Sequence, residues 1–320
     1  MPVFLVDNDT LKEERLNENI FTHDVAPVRL YRETMNDDGS MGFSPIHGFH
    51  AIERAERNNP NDNGDVVYVH PSSYCPIQLE KLEEIAHELV KCGYTITGSG
   101  ELKNNKLAFI ELENEELPSL SFDGTELNPK MWIGTSHDGS VALKSTIKIV
   151  DTWCANTFML NSASDVLFKA KHTRNSVVKI QDYRLQIRLA NDTILEYYDL
   201  VNRLQDTEWH EMRNKKEFAN VLGAIQKPRK RKKDGKAYWT GAQYSGKHNN
   251  QLADLDWAYF NSPGQEERGD TAWRWFSSIT YWADNMISDR ELESGSNILN
   301  GTRARQKAKA FEIAKNYIVG

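Results

Sequence analysis

The sequence predicts an α+β protein: a central antiparallel sheet packed by a long helix, with a helical C-terminal part. Three observations carry this prediction. Residues 141–150 alternate apolar and polar side chains with period two, the mark of a strand. Residues 177–204 hold apolar positions at three-and-four spacing, the mark of a helix with one buried face. Residues 271–286 repeat that spacing, and residues 302–319 read as a closing helix.

A chain of 320 residues, 39% hydrophobic and 27% charged, is long enough for one large or two modest domains with a sizeable core. Eight Trp, twelve Tyr and twelve Phe exclude general disorder. The N-terminus turns acidic after a few apolar residues, and no run reaches the ~18 apolar residues of a membrane helix, so a cytoplasmic location with no membrane partner is expected. Cys75, Cys92 and Cys154 are odd in number and widely spaced, which fits reduced thiols and neither a disulfide framework nor a zinc site. Residues 1–130 carry 11 Lys and Arg against 24 Asp and Glu, whereas residues 131–320 carry 28 against 22. A polyanion should therefore meet the second half; equally, acidic and basic faces of two copies could pair in a homo-oligomer.

Residues 1–64 are poorly periodic and rich in Asn, Asp and Gly, which predicts an irregular N-terminal arm. His47 and His50 within it lie three apart but have no carboxylate or Cys partner, so they read as loop residues and not as metal ligands. An α+β core follows over residues 65–226. Residues 65–69 read as a strand, and Pro76 precedes a helix with Leu79, Leu82, Ile85, Ala86, Leu89 and Val90 on one face, stopped by Gly93. Residues 94–97 and 107–112 read as strands, with the Gly98–Gly100 segment as a turn between them, and residues 111–126 as an acidic, exposed excursion. In the strand 141–150, Val141, Leu143, Ile147 and Ile149 face inward, and Lys144, Thr146 and Lys148 form a wet face. Lys144 and Lys148 then stand about 13 Å apart, near the span of two phosphates on a nucleic-acid strand, although a solvated sheet face explains them equally well.

The third region, residues 227–320, opens on KPRKRKKDGK, the densest basic run of the chain; Pro228, Asp234 and Gly235 predict a loop. Tyr238 and Trp239 follow it, so cations for phosphates adjoin aromatic faces for bases. The helix over 271–286 presents Ala272, Trp275, Phe276, Ile279, Trp282, Ala283 and Met286 as a core stripe, capped by Thr271 or Asp270. The last helix starts with Arg303, Arg305, Lys307 and Lys309, a second basic patch.

SHDG at residues 136–139 has the composition of a tight turn, since Asp and Gly accept turn conformations. Read instead as chemistry, His137 and Asp138, with His172, are candidate metal ligands or an acid–base pair. Cys154, Asn156 and His172 are the corresponding candidates for a thiol nucleophile, against which Cys154 reads as a small buried side chain at a strand end.

Three motifs appear in order: SHDGSVAL at 136–143 with CANT at 154–157, FKAKHT at 168–173, and GDTAWRWFSSITYWAD at 269–284. Together they resemble the phage/plasmid-like protein family built on domain of unknown function 932, over roughly residues 60–320. In that family an HDGS-type turn leads to a strand ending in C-x-N-T, K-H-T precedes a long helix, and a G-T-A-W helix lies near the C-terminus. Here Asp270 intervenes between Gly269 and Thr271, and Trp275 and Ser278 depart from the pattern. The resemblance implies mobile-element DNA biology and names no chemistry. A more distant similarity of architecture is to ring-forming single-strand annealing proteins, in which a sheet and a long helix line a basic groove.

The expected function is that of a phage- or plasmid-encoded protein binding single-stranded DNA and promoting annealing, with no catalytic residue and no cofactor assigned. The expected contacts are Lys144, Lys148, Lys169, Lys171, Arg174, Arg229, Lys230, Arg231, Lys232 and Lys233, with Tyr238 and Trp239 as stacking faces. The alternatives are a metal-dependent hydrolase or nuclease built on His137, Asp138 and His172, and a phage interaction protein that counters a host defence.

Overall fold

The computed structural model describes residues 20–36, 38–56, 64–102, 106–116, 119–122, 125–151, 156–159, 166–173, 183–233, 236–286 and 301–319. In chain order these form β1 (His23–Met35), β2 (Met41–Glu56), β3 (Asp65–Pro71), α1 (Leu79–Lys91), β4 (Thr95–Leu102), β5 (Leu107–Glu113), β6 (Leu120–Phe122), β7 (Thr125–Ser136), β8 (Leu143–Asp151), β9 (Asn156–Met159) and β10 (Val166–Ala170). There follow α2 (Tyr183–Gln205), α3 (Asn214–Leu222), β11 (Lys227–Lys233), β12 (Lys236–Gln243), α4 (Gly246–Asn261), α5 (Ala272–Asn285) and α6 (Thr302–Val319). The protein is α+β. Its main sheet has seven antiparallel strands in the order β10-β8-β7-β5-β4, with β6 beside β7 and β9 beside β8.

One face of that sheet carries Ala108, Ile110, Met131, Ile133, Leu143 and Ile147, and the helices close over it. Helix α1 contributes Leu82, Ile85 and Leu89, α2 contributes Ile194 and Val201, and α5 contributes Trp275, Phe276 and Ile279, all within one continuous core. The three-and-four spacing expected of the long helix is visible in its buried Ala190, Ile194, Tyr197, Tyr198, Val201 and Leu204; residues 177–182 lie outside the described residues. Thr271 caps α5, its Oγ1 accepting from the Arg274 amide at 3.2 Å, as residue type and position predicted.

Four expectations need correction. First, residues 23–56 are not irregular: β1 and β2 are long paired strands, and β2 pairs with β3 to complete a three-stranded sheet. Exposed apolar residues on these strands blur the alternation that marks a strand. Second, the segment 111–126 expected to be an exposed excursion is partly strand: β5 runs on to Glu113, and β6 pairs with the start of β7, Leu120 opposite Leu127 and Phe122 opposite Thr125. Third, KPRKRKK is strand β11, paired with β12, and not a loop. Lys233 pairs with Lys236, leaving two residues, Asp234 and Gly235, between the strands; Asp-Gly is a two-residue hairpin signal as much as a loop signal.

Fourth, β8 has no wet face. Seven of its nine residues are buried, Lys144 and Thr146 among them. On this second side of the sheet Trp132 stacks near Phe109, with ring centroids 6.2 Å apart, in a small cluster with Leu107 and Val141. Beside it runs a ladder of charges. Lys148 stands opposite Lys130 across β8 and β7, a repulsive arrangement by itself. Glu111 binds Lys148 and Glu113 binds Lys130 from β5, which offsets it.

Two buried ion pairs fasten the C-terminal region to the sheet. Arg268 Nη2 meets Asp151 Oδ2 of β8 at 2.7 Å. Lys307 Nζ of α6 meets Asp284 Oδ1 of α5 at 2.8 Å and donates to the Thr157 carbonyl of β9 at 2.7 Å. Asp284 Oδ2 in turn accepts from the Thr157 amide at 2.8 Å. Half of the basic start of α6 is therefore internal: Lys307 and Arg303 are buried, the Arg303 guanidinium lying 3.6 Å from the Trp282 ring centroid, whereas Arg305 and Lys309 are exposed. Among the described residues no helix is long and apolar enough to cross a membrane.

Candidate functional site

The turn joining β7 to β8 is held by its own side chains. Asp138 Oδ1 accepts from the Ser140 amide at 2.9 Å, the Ser136 amide donates to the Val141 carbonyl at 3.1 Å, and Ser136 Oγ accepts from the Val141 amide at 2.8 Å. Gly139 adopts φ 72°. This is the tight turn that the composition of SHDG predicts.

Residues far away in sequence then clamp it. His70 at the end of β3 donates from Nε2 to the His137 carbonyl at 2.8 Å, and Tyr74 donates from its hydroxyl to the Ser136 carbonyl at 3.1 Å. His70, Tyr74 and His172 form a stack, with centroids 3.7 Å apart in the first pair and 5.0 Å in the second. The Ile77 amide donates to His172 Nδ1 at 3.3 Å, so the ring proton sits on Nε2, which donates to the Val141 carbonyl at 3.1 Å. The SHDG and KHT motifs thus meet. His70 and Tyr74 are not marked in the sequence because HPSSYCP shows only the punctuation of a turn; the bridge between Tyr74 and Thr173 and the bond from the Cys75 amide to the His172 carbonyl hold this segment here.

A Cβ at position 139 would lie 3.0 Å from His70 Cε1, and the backbone there is in the left-handed region. Replacing Gly139 by Ala is expected to cost about 1–2 kcal/mol, read as a lowered urea midpoint. An unchanged midpoint would show that the turn relaxes freely.

His137 is fully buried, and neither ring nitrogen has a hydrogen-bond partner among the described residues. Burial, with a smaller contribution from His172, lowers its pKa to about 4. Burial also lowers that of His172. Both rings are neutral at pH 7. His172 has committed both nitrogens to the protein, and Asp138 is turned to its own loop. Among the described residues, no group of three or more His, Cys, Asp or Glu side chains is placed to hold a metal ion. Cys154 lies outside the described residues, while Cys75 and Cys92 are free thiols.

The predicted nucleic-acid contacts fall into separate groups. Lys144 on β8 stands opposite Lys169 on β10, the edge strand of the main sheet. Lys169 and nearby Lys171 are exposed, whereas Lys144 is 8% exposed, and burial, then Lys169, lowers its pKa to about 8. Lys148 is engaged by Glu111. Arg174 lies outside the described residues. Arg229, Lys230, Arg231, Lys232 and Lys233 lie on β11, in a two-stranded sheet of their own. There Lys230 pairs with Trp239 and Arg231 with Tyr238.

These features define an α+β protein with a histidine-clamped turn at one end of an antiparallel sheet and a separate cationic ribbon. A sequence model of a domain of unknown function, DUF932, matches residues 67–315, and the chain belongs to that family. No curated protein and no solved structure matches the chain.

Proposed function

We propose that this chain is a phage- or plasmid-encoded protein of the bacterial cytoplasm that binds single-stranded DNA without sequence preference, works as a homo-oligomer and promotes annealing. The observation that carries the reading is the β11–β12 ribbon. Six of the seven β11 residues are Lys or Arg, so both faces of the strand include cationic positions. Tyr238 and Trp239 stand in register with two of them. Cations for the backbone and aromatic rings for the bases are the two parts of sequence-tolerant single-strand binding. Exposed Lys169 and Lys171 supply a second cationic group, with Lys144 buried beside Lys169, and Lys148 joins it only by exchanging Glu111 for phosphate. Neutralising phosphates on two strands at once lowers their mutual repulsion, which is the step annealing requires.

The reading is tested by fluorescence anisotropy with a labelled oligo-dT strand. Affinity should fall linearly in log K against log salt, by about 0.7 for each phosphate contact. No binding at low salt would overturn the reading.

A further inference from the structure

The β1–β2 hairpin outruns the sheet it belongs to. Arg29 pairs with His50 but Tyr31 pairs with Pro45, so β2 holds extra residues at 46–49, where Gly48 takes φ 83°. Strand β3 pairs with β2 from Phe49 toward the body. Beyond that point the strands 31–35 and 41–45 form a two-stranded arm with no third strand beside it among the described residues.

Directly paired residues of antiparallel strands share a face. One face of the arm therefore holds the pairs Tyr31 and Pro45, Glu33 and Phe43, Met35 and Met41. Tyr31, Met35, Met41 and Phe43 are 53%, 76%, 63% and 72% exposed. The other face is polar, with Thr34 Oγ1 and Ser44 Oγ 3.2 Å apart. By strand alternation the apolar face continues the one on which Val25 and Ile52 are buried against Val67. It is an apolar face carried past the body that buries its start. An isolated two-stranded hairpin is marginal in water, and a contiguous exposed apolar patch marks a contact surface.

The charges on this face identify the occupant. Glu33 sits among the apolar residues and Arg29 lies four positions earlier on the same face; neither has an ion-pair partner among the described residues. A twofold axis at Tyr31 that runs two such faces antiparallel sets residue 29 of one copy against residue 33 of the other. The Arg29–Glu33 pair then forms twice, once on each side of the axis, and Met35 reaches Pro27 at the edge of the other body. A lipid surface or an apolar groove would leave Glu33 buried and unpaired, which is costly.

We propose that the arm is a self-association element: two copies pack the apolar faces of their arms together, with Arg29 of each copy paired to Glu33 of the other. This takes up the homo-oligomer of the reading above and does not depend on its nucleic acid. The seven residues of this face, Arg29, Tyr31, Glu33, Met35, Met41, Phe43 and Pro45, are few beside the roughly 20–30 residues a side of standard interfaces, so association at micromolar concentration is expected.

Sedimentation velocity of the full chain without DNA tests it. The wild type should form a dimer, and Phe43→Asp should be a folded monomer, since position 43 is exposed. Arg29→Glu and Glu33→Arg should each weaken dimerisation roughly tenfold. Mixing these two variants should restore a dimer, as should combining both changes in one chain. A monomeric wild type, a dimer insensitive to Phe43→Asp, or charge variants that mixing does not rescue would each overturn the proposal. Loss of DNA binding by ribbon variants would leave it untouched.

Discussion

Replacing Asp284 by Ala is expected to destabilise the protein by about 3–5 kcal/mol, because it strands a buried lysine without its counter-charge. Lys307 and Asp284 have side-chain exposures of 2% and 6%. Burial lowers the lysine pKa, and Asp284 opposes that shift. The same carboxylate accepts from the Thr157 amide, so its loss also leaves a backbone donor of β9 without that partner. Urea denaturation measures the cost. The double variant Asp284→Leu with Lys307→Met should cost much less than Asp284→Ala, since removing both charges leaves none stranded. Equal losses in the single and double variants would mean that packing, not charge, governs the junction.

The second large effect is acid destabilisation through the clamped turn. His137 has a pKa of about 4 in the folded chain against 6.5 for an ordinary histidine. The unfolded chain therefore takes up the proton first. The stability due to neutral His137 is complete above pH 6.5 and is lost as pH falls from 6.5 to about 4, with no further loss below that. At 1.36 kcal/mol per pKa unit the full effect is on the order of 3 kcal/mol. His172 acts in the same direction. Charged neighbours also bear on His137: Asp138 favours its protonation, whereas His172 and Arg54, the latter held by Glu101, oppose it. Carboxylates titrate in the lower part of this window, so the informative quantity is the difference between wild type and His137→Leu. Wild-type stability should fall relative to that variant between pH 6.5 and 4; parallel profiles would remove the assignment.

Much of the main fold is legible in the residues. Helix α1 announces itself by six apolar positions and a terminal glycine, α5 by its aromatic stripe and threonine cap, and the β7–β8 hairpin by SHDG. These signals are local: capping, spacing and turn chemistry act within a few residues. What was hidden depends on partners distant in sequence. Lys148 looks solvated until β5 brings Glu111 beside it, and Lys307 looks like part of a basic patch until α5 brings Asp284. His172 looks like a free imidazole until the Ile77 amide and the Val141 carbonyl claim both nitrogens. The β1–β2 arm was obscured for a different reason. A strand whose apolar residues face solvent lacks the inward–outward contrast from which strands are read, and that same exposure is what makes the arm a contact surface. In the candidate site, the cationic positions of β11 and the aromatic positions of β12 were readable as composition. Their pairing in one ribbon was not, because Asp-Gly serves loops and hairpins alike.

The central claim, single-stranded DNA binding through the β11–β12 ribbon, is tested most directly by comparing the salt dependence of the wild type with that of a chain in which Arg229, Lys230, Arg231, Lys232 and Lys233 are all Gln. If these five residues contact phosphates, the slope of log K against log salt should fall by about 3 to 4 in magnitude, at about 0.7 per contact. Tyr238→Ala with Trp239→Ala should weaken binding at every salt concentration without changing that slope. An unchanged slope and affinity in the Gln variant would contradict the assignment of the ribbon as the DNA-binding element.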